Sequence, residues 1–416
     1  MTPGREDAAV IFPKVPKPDH VPADRVFEFN IFGDARFEED VQDSYARAVA
    51  DAPDIFWTPH NGGHWLVKRY DDIVAIVGEP AVFSAREMQV PRVPDPPRLI
   101  PLNYDPPESG AYRMVLMPFF APKAINAMEP RVREIAVEVI ERVGAKGACD
   151  FVDEVAAEIP VGVFMELMGM DRSRLHECRA MADNFFKSRV QEEYTVAGNA
   201  IMAELTALIA QKREHPDSGL VSHLINADMR GRKLTEDEIL RTCFLLFLGG
   251  MDTVTNTTGF TYARLAQDPA LQARLAADPT LIPKFVEEGL RCYGVSTTQR
   301  LVTEDCERFG LQFKEGEVIS CILPISGRDD RKNPNPSAFD IDRDSRSYLT
   351  FSSGPHLCIG HLLARLEMRV LTEEWVKRVP TFHLKPGGKR HFRTGTVIAL
   401  ENLPLEGDVA QTAAAA

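Results

Sequence analysis

The run Phe351-Ser352-Ser353-Gly354-Pro355-His356-Leu357-Cys358-Ile359-Gly360-His361 leads straight into Leu362-Leu363-Ala364-Arg365-Leu366-Glu367, and no other stretch constrains the fold as much. It sets one cysteine in a loop punctuated by Gly and Pro, at the start of a helix. A thiol there meets free backbone N–H groups and the positive end of the helix dipole, which favour thiolate and hence a metal ligand. Gly354 and Gly360, lacking Cβ, let the backbone take φ > 0 or approach a flat cofactor closely. A cysteine beside a helix is more commonly a small buried hydrophobe. The spacing of Phe, Gly, Cys, Gly, Ala and Glu around Cys358 argues against that here.

That spacing resembles the haem-binding signature of the cytochrome P-450 family, F-x-x-G-x-x-x-C-x-G-x-x-x-A-x-x-E, at every specified position from Phe351 to Glu367. The resemblance covers almost the whole chain. It implies a mainly α fold with a small β-rich lobe, the P-450 prism, and haem b (iron protoporphyrin IX) with Cys358 as thiolate ligand. There is no internal repeat and no linker long enough to separate domains, so residues 1–416 are expected to form a single catalytic domain. Residues 1 to about 30 read as an extended, Pro-punctuated arm and 411–416 as a disordered Ala-rich tail.

A second stretch carries chemistry. Leu234-Thr235-Glu236-Asp237-Glu238-Ile239 has a capping box in Thr235 and Glu238, so a helix should start here. Its apolar pattern runs to Leu265, with Gly249-Gly250-Met251-Asp252-Thr253 in the middle. Each glycine costs about 1 kcal/mol relative to alanine in a helix interior. Close helix packing would explain them; so would a flat ring approaching where the ladder opens and frees a carbonyl and a hydroxyl. Asp252 beside Thr253 in an apolar run favours the second reading, because a buried acid and alcohol form a proton relay. The pentad resembles the family's oxygen-activating motif, nearest to camphor-hydroxylating bacterial members. That implies catalytic roles for Asp252 and Thr253, with Gly249 and Gly250 against the cofactor.

Further residues follow from the resemblance. Glu288 and Arg291, with Arg343, resemble the triad that braces the cysteine loop. Arg113, Arg300 and His356 are the implied partners of the haem propionates, with Phe351 and Gly360 also at the cofactor. Two departures stand out: Ser109 four residues before Arg113, and Thr298 before Arg300 where an acid is frequent. Leu245, Leu248, Ser296, Val397 and parts of the loop from Phe83 to Tyr104 are the expected substrate pocket. In the camphor enzyme a loop tyrosine donates to the substrate ketone; that place falls on Pro97, which cannot donate.

Elsewhere, alternation over Asp54 to Tyr70 predicts a hairpin closed at Asn61-Gly62-Gly63. The proline density between Phe83 and Pro107 predicts a long loop. Helical periodicity covers Ala124 to Glu214, and a strand-rich region Gln299 to Phe351. A net charge of -13 argues against nucleic-acid or anionic-membrane binding. Seven cysteines with no C-x-x-C pair argue against a disulfide framework and for a reducing cytoplasm. The start lacks a signal-peptide pattern, and the most apolar run, Cys243 to Met251, is too short to span a bilayer.

The implied activity is a monooxygenase that hydroxylates a small hydrophobic terpenoid or norisoprenoid with O2. With no Gly-x-Gly-x-x-Gly after a strand, electrons have to come from another protein. The resemblance implies a [2Fe-2S] ferredoxin served by a flavoprotein reductase, docking near Arg113. A haem-thiolate peroxygenase or isomerase is the nearest rival, and such enzymes commonly lose the Asp–Thr pair. A non-catalytic haem sensor would need no proton relay.

Overall fold

The computed structural model describes residues 14–92, 98–188 and 191–408. Part of the expected N-terminal arm, the expected tail at 411–416 and Pro97 lie outside the described residues. Helices dominate, and the strands gather in small sheets.

Eight of the helices position the site: α1 (Glu108–Phe120), α2 (Pro122–Gly144), α3 (Glu158–Met168), α4 (Leu175–Lys187), α5 (Glu236–Met251), α6 (Thr253–Leu265), α7 (Ile282–Cys292) and α8 (His361–Arg378). α2 opens with a proline, whose missing N–H costs nothing at that place. Its Val132, Ile135, Ala136, Val139, Ile140 and Val143 recur at helical spacing and are all buried. α2 packs against α8. Arg133 reaches Glu373 at 2.7 Å across that seam, and Arg369 reaches Glu129 at 2.6 Å. Such pairs count when they form a partly buried network, as here.

α5 starts where its capping box says it should. Thr235 Oγ1 accepts from the Glu238 N–H at 3.2 Å, and the Glu238 carboxylate accepts from the Thr235 N–H at 2.7 Å. The single helix expected to run to Leu265 is instead two. At Asp252 the backbone leaves the helical region (φ -131, ψ -39), and α6 begins at Thr253. The glycine pair just before the break makes that departure cheap.

The hairpin forms as expected from β1 (Ile55–Thr58) and β2 (His64–Val67), with Asn61, Gly62 and Gly63 all at positive φ (56, 82 and 74). β3 (Phe83–Ser84), β4 (Thr298–Val302) and β5 (Val318–Cys321) complete a sheet of order β1-β2-β5-β4-β3. Arg300 lies opposite Ile319 in the β4–β5 pairing. Apart from β3, the described part of the Pro-dense loop has no regular element. The strand-rich region expected up to Phe351 loses its strands after Cys321; turns and the short helix Leu323–Ser326 take over, tied by side-chain-to-backbone hydrogen bonds. Near the C-terminus β6 (Phe392–Arg393) pairs antiparallel with β7 (Ala399–Leu400). The main apolar core lies among the helices, and a smaller one, with Trp57, Trp65, Phe83 and Phe313, belongs to the sheet.

Candidate functional site

The cysteine loop is a short structured shelf. Ser352 and Gly354 take positive φ (60 and 64), and the turn Gly354–His356 follows. The Cys358 N–H then donates to Phe351 O at 2.9 Å. Gly354 is thus at a left-handed position that suits glycine, whereas Gly360 has an ordinary φ of -83. A Cβ on Gly360 would meet nothing nearer than Cys358 Sγ at 3.9 Å, so it faces open space. All seven cysteines are described, and Cys358 is the exposed one. Its exposure is inward: it lines a cavity of about 920 Å³ together with Phe351, His356 and Gly360.

The electrostatics of Cys358 correct the sequence argument. Burial raises its thiol pKa, against the opposing pull of the Gly360 N–H, Arg113 and Arg365. Desolvation outweighs the helix terminus, so a thiolate in this place calls for a cation beside it. Arg365 lies 4.6 Å over the Phe351 ring and donates to Glu287 at 2.6 Å and Tyr348 Oη at 2.7 Å. Glu367, which ends the motif, is buried on the cavity wall, and desolvation pushes its carboxyl up to about 8.

Behind the shelf lies a fully buried ion pair. Arg291 donates to both oxygens of Glu288, at 2.9 and 2.6 Å. The same guanidinium donates to the carbonyls of Gly327, Pro336 and Ala338 at 2.6 to 2.8 Å. The third arginine is not Arg343 alone. Arg346 Nε donates to Glu288 at 3.1 Å, whereas Arg343 Nε stands 3.5 Å away without a hydrogen bond and its Nη2 donates to Asn335 O and Ala338 O. Arg346 sits three residues beyond Arg343, at a position the motif does not specify.

The break between α5 and α6 forms another part of the wall. Gly249, Gly250 and Thr253 all line the cavity, yet the two glycines differ. A Cβ on Gly249 would meet nothing within 4 Å, but one on Gly250 would lie 2.4 Å from Phe164 Cγ on α3. Gly250 thus lines the cavity and is also held by helix packing, whereas at Gly249 a Cβ would face open space. The carbonyl expected to be free is also taken, since Thr253 Oγ1 donates to Gly249 O at 3.1 Å. Asp252 is buried, its carboxyl raised by desolvation against the pull of Arg393 and Asn256. Arg393 Nη2 donates to Asp252 Oδ2 at 3.3 Å. Nothing near Arg393 in the sequence marks it as that partner.

Three basic side chains gather on the sheet side. Arg300 is 1% exposed, donates to Thr298 Oγ1 at 3.0 Å and Gln299 O at 2.7 Å, and leaves Nη2 unpartnered. Thr298, a departure from the family pattern, thus serves Arg300 as an acceptor. His356 Nε2 is buried without a partner, and burial plus the nearby Arg300 charge lower its pKa to about 4. Arg113 donates to Leu357 O at 2.7 Å. A buried guanidinium N–H and a buried imidazole nitrogen left without partners fit a group that brings carboxylates. The expected pocket residues Leu245, Leu248, Ser296 and Val397 all line the same cavity, and Ser296 bridges Val397 as an isolated strand pair.

The family model for cytochrome P450 matches residues 159–403. A probable cytochrome P450 127A1 from Sinorhizobium fredii is 30% identical over 400 residues, covering 94% of this chain and 96% of the relative. The chain belongs to the cytochrome P450 family. Among solved structures, that of CYP101J2 matches with TM-score 0.86 and 34% identity, over 94% of this chain and 99% of the other. That of CYP101C1 matches at 0.85 and 29%, with the same coverage. The P450 fold and monooxygenase class expected from the motif are thereby established, together with a Cys-ligated haem as cofactor. The site fits that group: an inward-facing thiol, unpartnered buried nitrogens at Arg300 and His356, and open backbone at Gly249 and Gly360 share one cavity or its edge. No described helix is long and apolar enough to cross a membrane.

Proposed function

We propose that this P450 hydroxylates an unactivated C–H bond of a terpenoid or norisoprenoid of about ten to fifteen carbons rather than camphor itself. The observation that carries the reading is one cavity wall holding both the Cys358 thiol and the α5–α6 break with Thr253. Cys358 would bind the iron of haem b, and Arg113, Arg300 and His356 would hold its propionates. Bound through sulfur, haem supplies activation of O2, because thiolate donation favours O–O cleavage. The protein's part is orientation and protons. Thr253 Oγ1 carries a proton at the cavity edge of the break, and buried Asp252, its neighbour in sequence, would be the acid that replaces that proton. Leu245, Leu248 and Val397 keep water out and pack the substrate, while Ser296 offers a hydroxyl to orient it.

Electrons would come from a [2Fe-2S] ferredoxin with its flavoprotein reductase, docking near Arg113 and the exposed Leu357. With a chain charge of -13, that encounter would be weak and sensitive to salt. The whole of 1–416 would act as one catalytic unit, in the cytoplasm.

The test is a panel of terpenoids and norisoprenoids scored by the spin-state shift of the ferric protein, followed by turnover with ferredoxin, reductase and NADH. A hydroxylated product from a panel member is expected. NADH consumption without any oxygenated product across the panel refutes the terpenoid reading, and tight camphor binding with fully coupled hydroxylation refutes a substrate other than camphor. Cys358→Ser should lose the carbon monoxide difference spectrum of the thiolate-ligated reduced protein; an unchanged spectrum would remove the ligand assignment.

A further inference from the structure

The cation that faces buried Asp252 comes from far away in sequence. Arg393, the last residue of β6, is separated from it by 141 positions and reaches it with Nη2. Its guanidinium is buried, stacks 5.6 Å from the Phe186 ring centroid, and leaves Nε without a hydrogen bond. The acidic side chain that faces this cation is Asp252. Among the described residues, no other cation stands within hydrogen-bond reach of Asp252. Asp183 on α4 acts on it from further off and is itself 3.6 Å from Lys187, which lies 3.6 Å from Glu401. On α6, Asn256 donates to the Asp252 backbone carbonyl at 2.8 Å; on α3 the Phe164 ring faces Gly250, two residues before Asp252.

The pair is loose. At 3.3 Å it exceeds the usual length of a charge-assisted bond, so it has room to tighten as charge develops. The residues after Arg393, Thr394 to Val397, line the cavity, which puts this cation in the wall that a substrate touches.

We propose that Arg393 is the positioning residue of the proton relay: it orients the Asp252 carboxyl and neutralises the charge left when Asp252 passes its proton towards Thr253. The proton leaves the carboxyl oxygen, the carboxylate pairs with the guanidinium, and water returns a proton to restore the acid. The proposal rests on the monooxygenase reading for its consequence in turnover.

Two measurements on the holoenzyme test it, using R393Q and R393K with D252N as reference. In infrared difference spectra, the carboxyl band absent from D252N should titrate at higher pH in R393Q than in wild type, and return towards wild type in R393K. In turnover on whichever panel compound the wild type oxidises, product per NADH should fall about tenfold in R393Q, less than the about 10²–10⁴-fold worth of a positioned proton donor because Arg393 acts through Asp252. A band titrating at the same pH in wild type and R393Q overturns the proposal. If R393Q does not fold, R393K decides: a wild-type titration with reduced product per NADH supports a role in orientation, and unchanged coupling overturns it. Absence of product from the wild type would refute the functional reading and leave the infrared result to judge Arg393.

Discussion

Replacing Gly250 by alanine separates two reasons for a glycine in the broken helix. An added Cβ would sit 2.4, 2.5 and 2.7 Å from three ring atoms of Phe164, closer than real Cβ contacts come, so the ring or the helix has to shift. Overpacking a tight core costs about 1–3 kcal/mol, and contact with the root of a ring rather than a flexible end points to the upper part of that range. Alanine regains about 1 kcal/mol of helix propensity. The expected net loss is about 2 kcal/mol for Gly250→Ala alone. In a Phe164→Ala background the clash is gone, and the same substitution should become neutral or stabilising by about 1 kcal/mol. Urea unfolding of the four proteins, read by circular dichroism, gives a coupling energy of about 3 kcal/mol on this reasoning. Additive effects would refute it and return Gly250 to the cofactor, where the penalty is indifferent to residue 164 and appears as lost haem affinity.

Glu288→Gln should lower stability by about 3–5 kcal/mol, because it leaves Arg291 charged and fully buried; haem loading per polypeptide would show it, and normal loading would count against the bracing role. Thr253→Ala should retain substrate spin shift while diverting reducing equivalents to peroxide or water, measured as product per NADH; full coupling would deny the hydroxyl its role. Glu367 gives a pH signature. Its folded pKa is raised from 4.5 to about 8 by burial, so its contribution to stability is complete below about 4.5 and is lost as pH rises to about 8. Glu367→Gln should therefore gain on wild type across that window, by up to about 1.4 kcal/mol per pH unit, in denaturant titrations. A pH-independent difference would show that the side chain is not held protonated.

Features written in neighbouring residues are legible in the sequence itself. The capping box at Thr235 and Glu238 and the hairpin at Asn61 to Gly63 are both local hydrogen-bond or φ requirements, so spacing alone reveals them. The signature around Cys358 is local too, and it locates the thiol. What escapes depends on meeting partners. Gly249 and Gly250 look alike in sequence, and only the Phe164 ring distinguishes them. The helix break at Asp252 cannot be read from periodicity, because the apolar pattern continues through it. A motif specifies position and not reach, so it points to Arg343 while Arg346 makes the hydrogen bond. Arg393 carries no local mark at all.

The arginines behind the cysteine shelf spend most of their donors on main-chain oxygens, at Gly327, Pro336, Ala338, Asn335 and Ile341. A carbonyl is present whatever residue supplies it. At Pro336 and Ala338, side-chain identity should thus be widely interchangeable wherever turn geometry allows, unlike Gly327, where a Cβ would collide with Arg291 O, and Asn333, whose amide holds Gly327 O and Ser347 O; inserting or deleting a single residue would carry the acceptors out of register. Libraries confined to those acceptor positions would be expected to tolerate spelling changes, and the segment as a whole to reject changes of length.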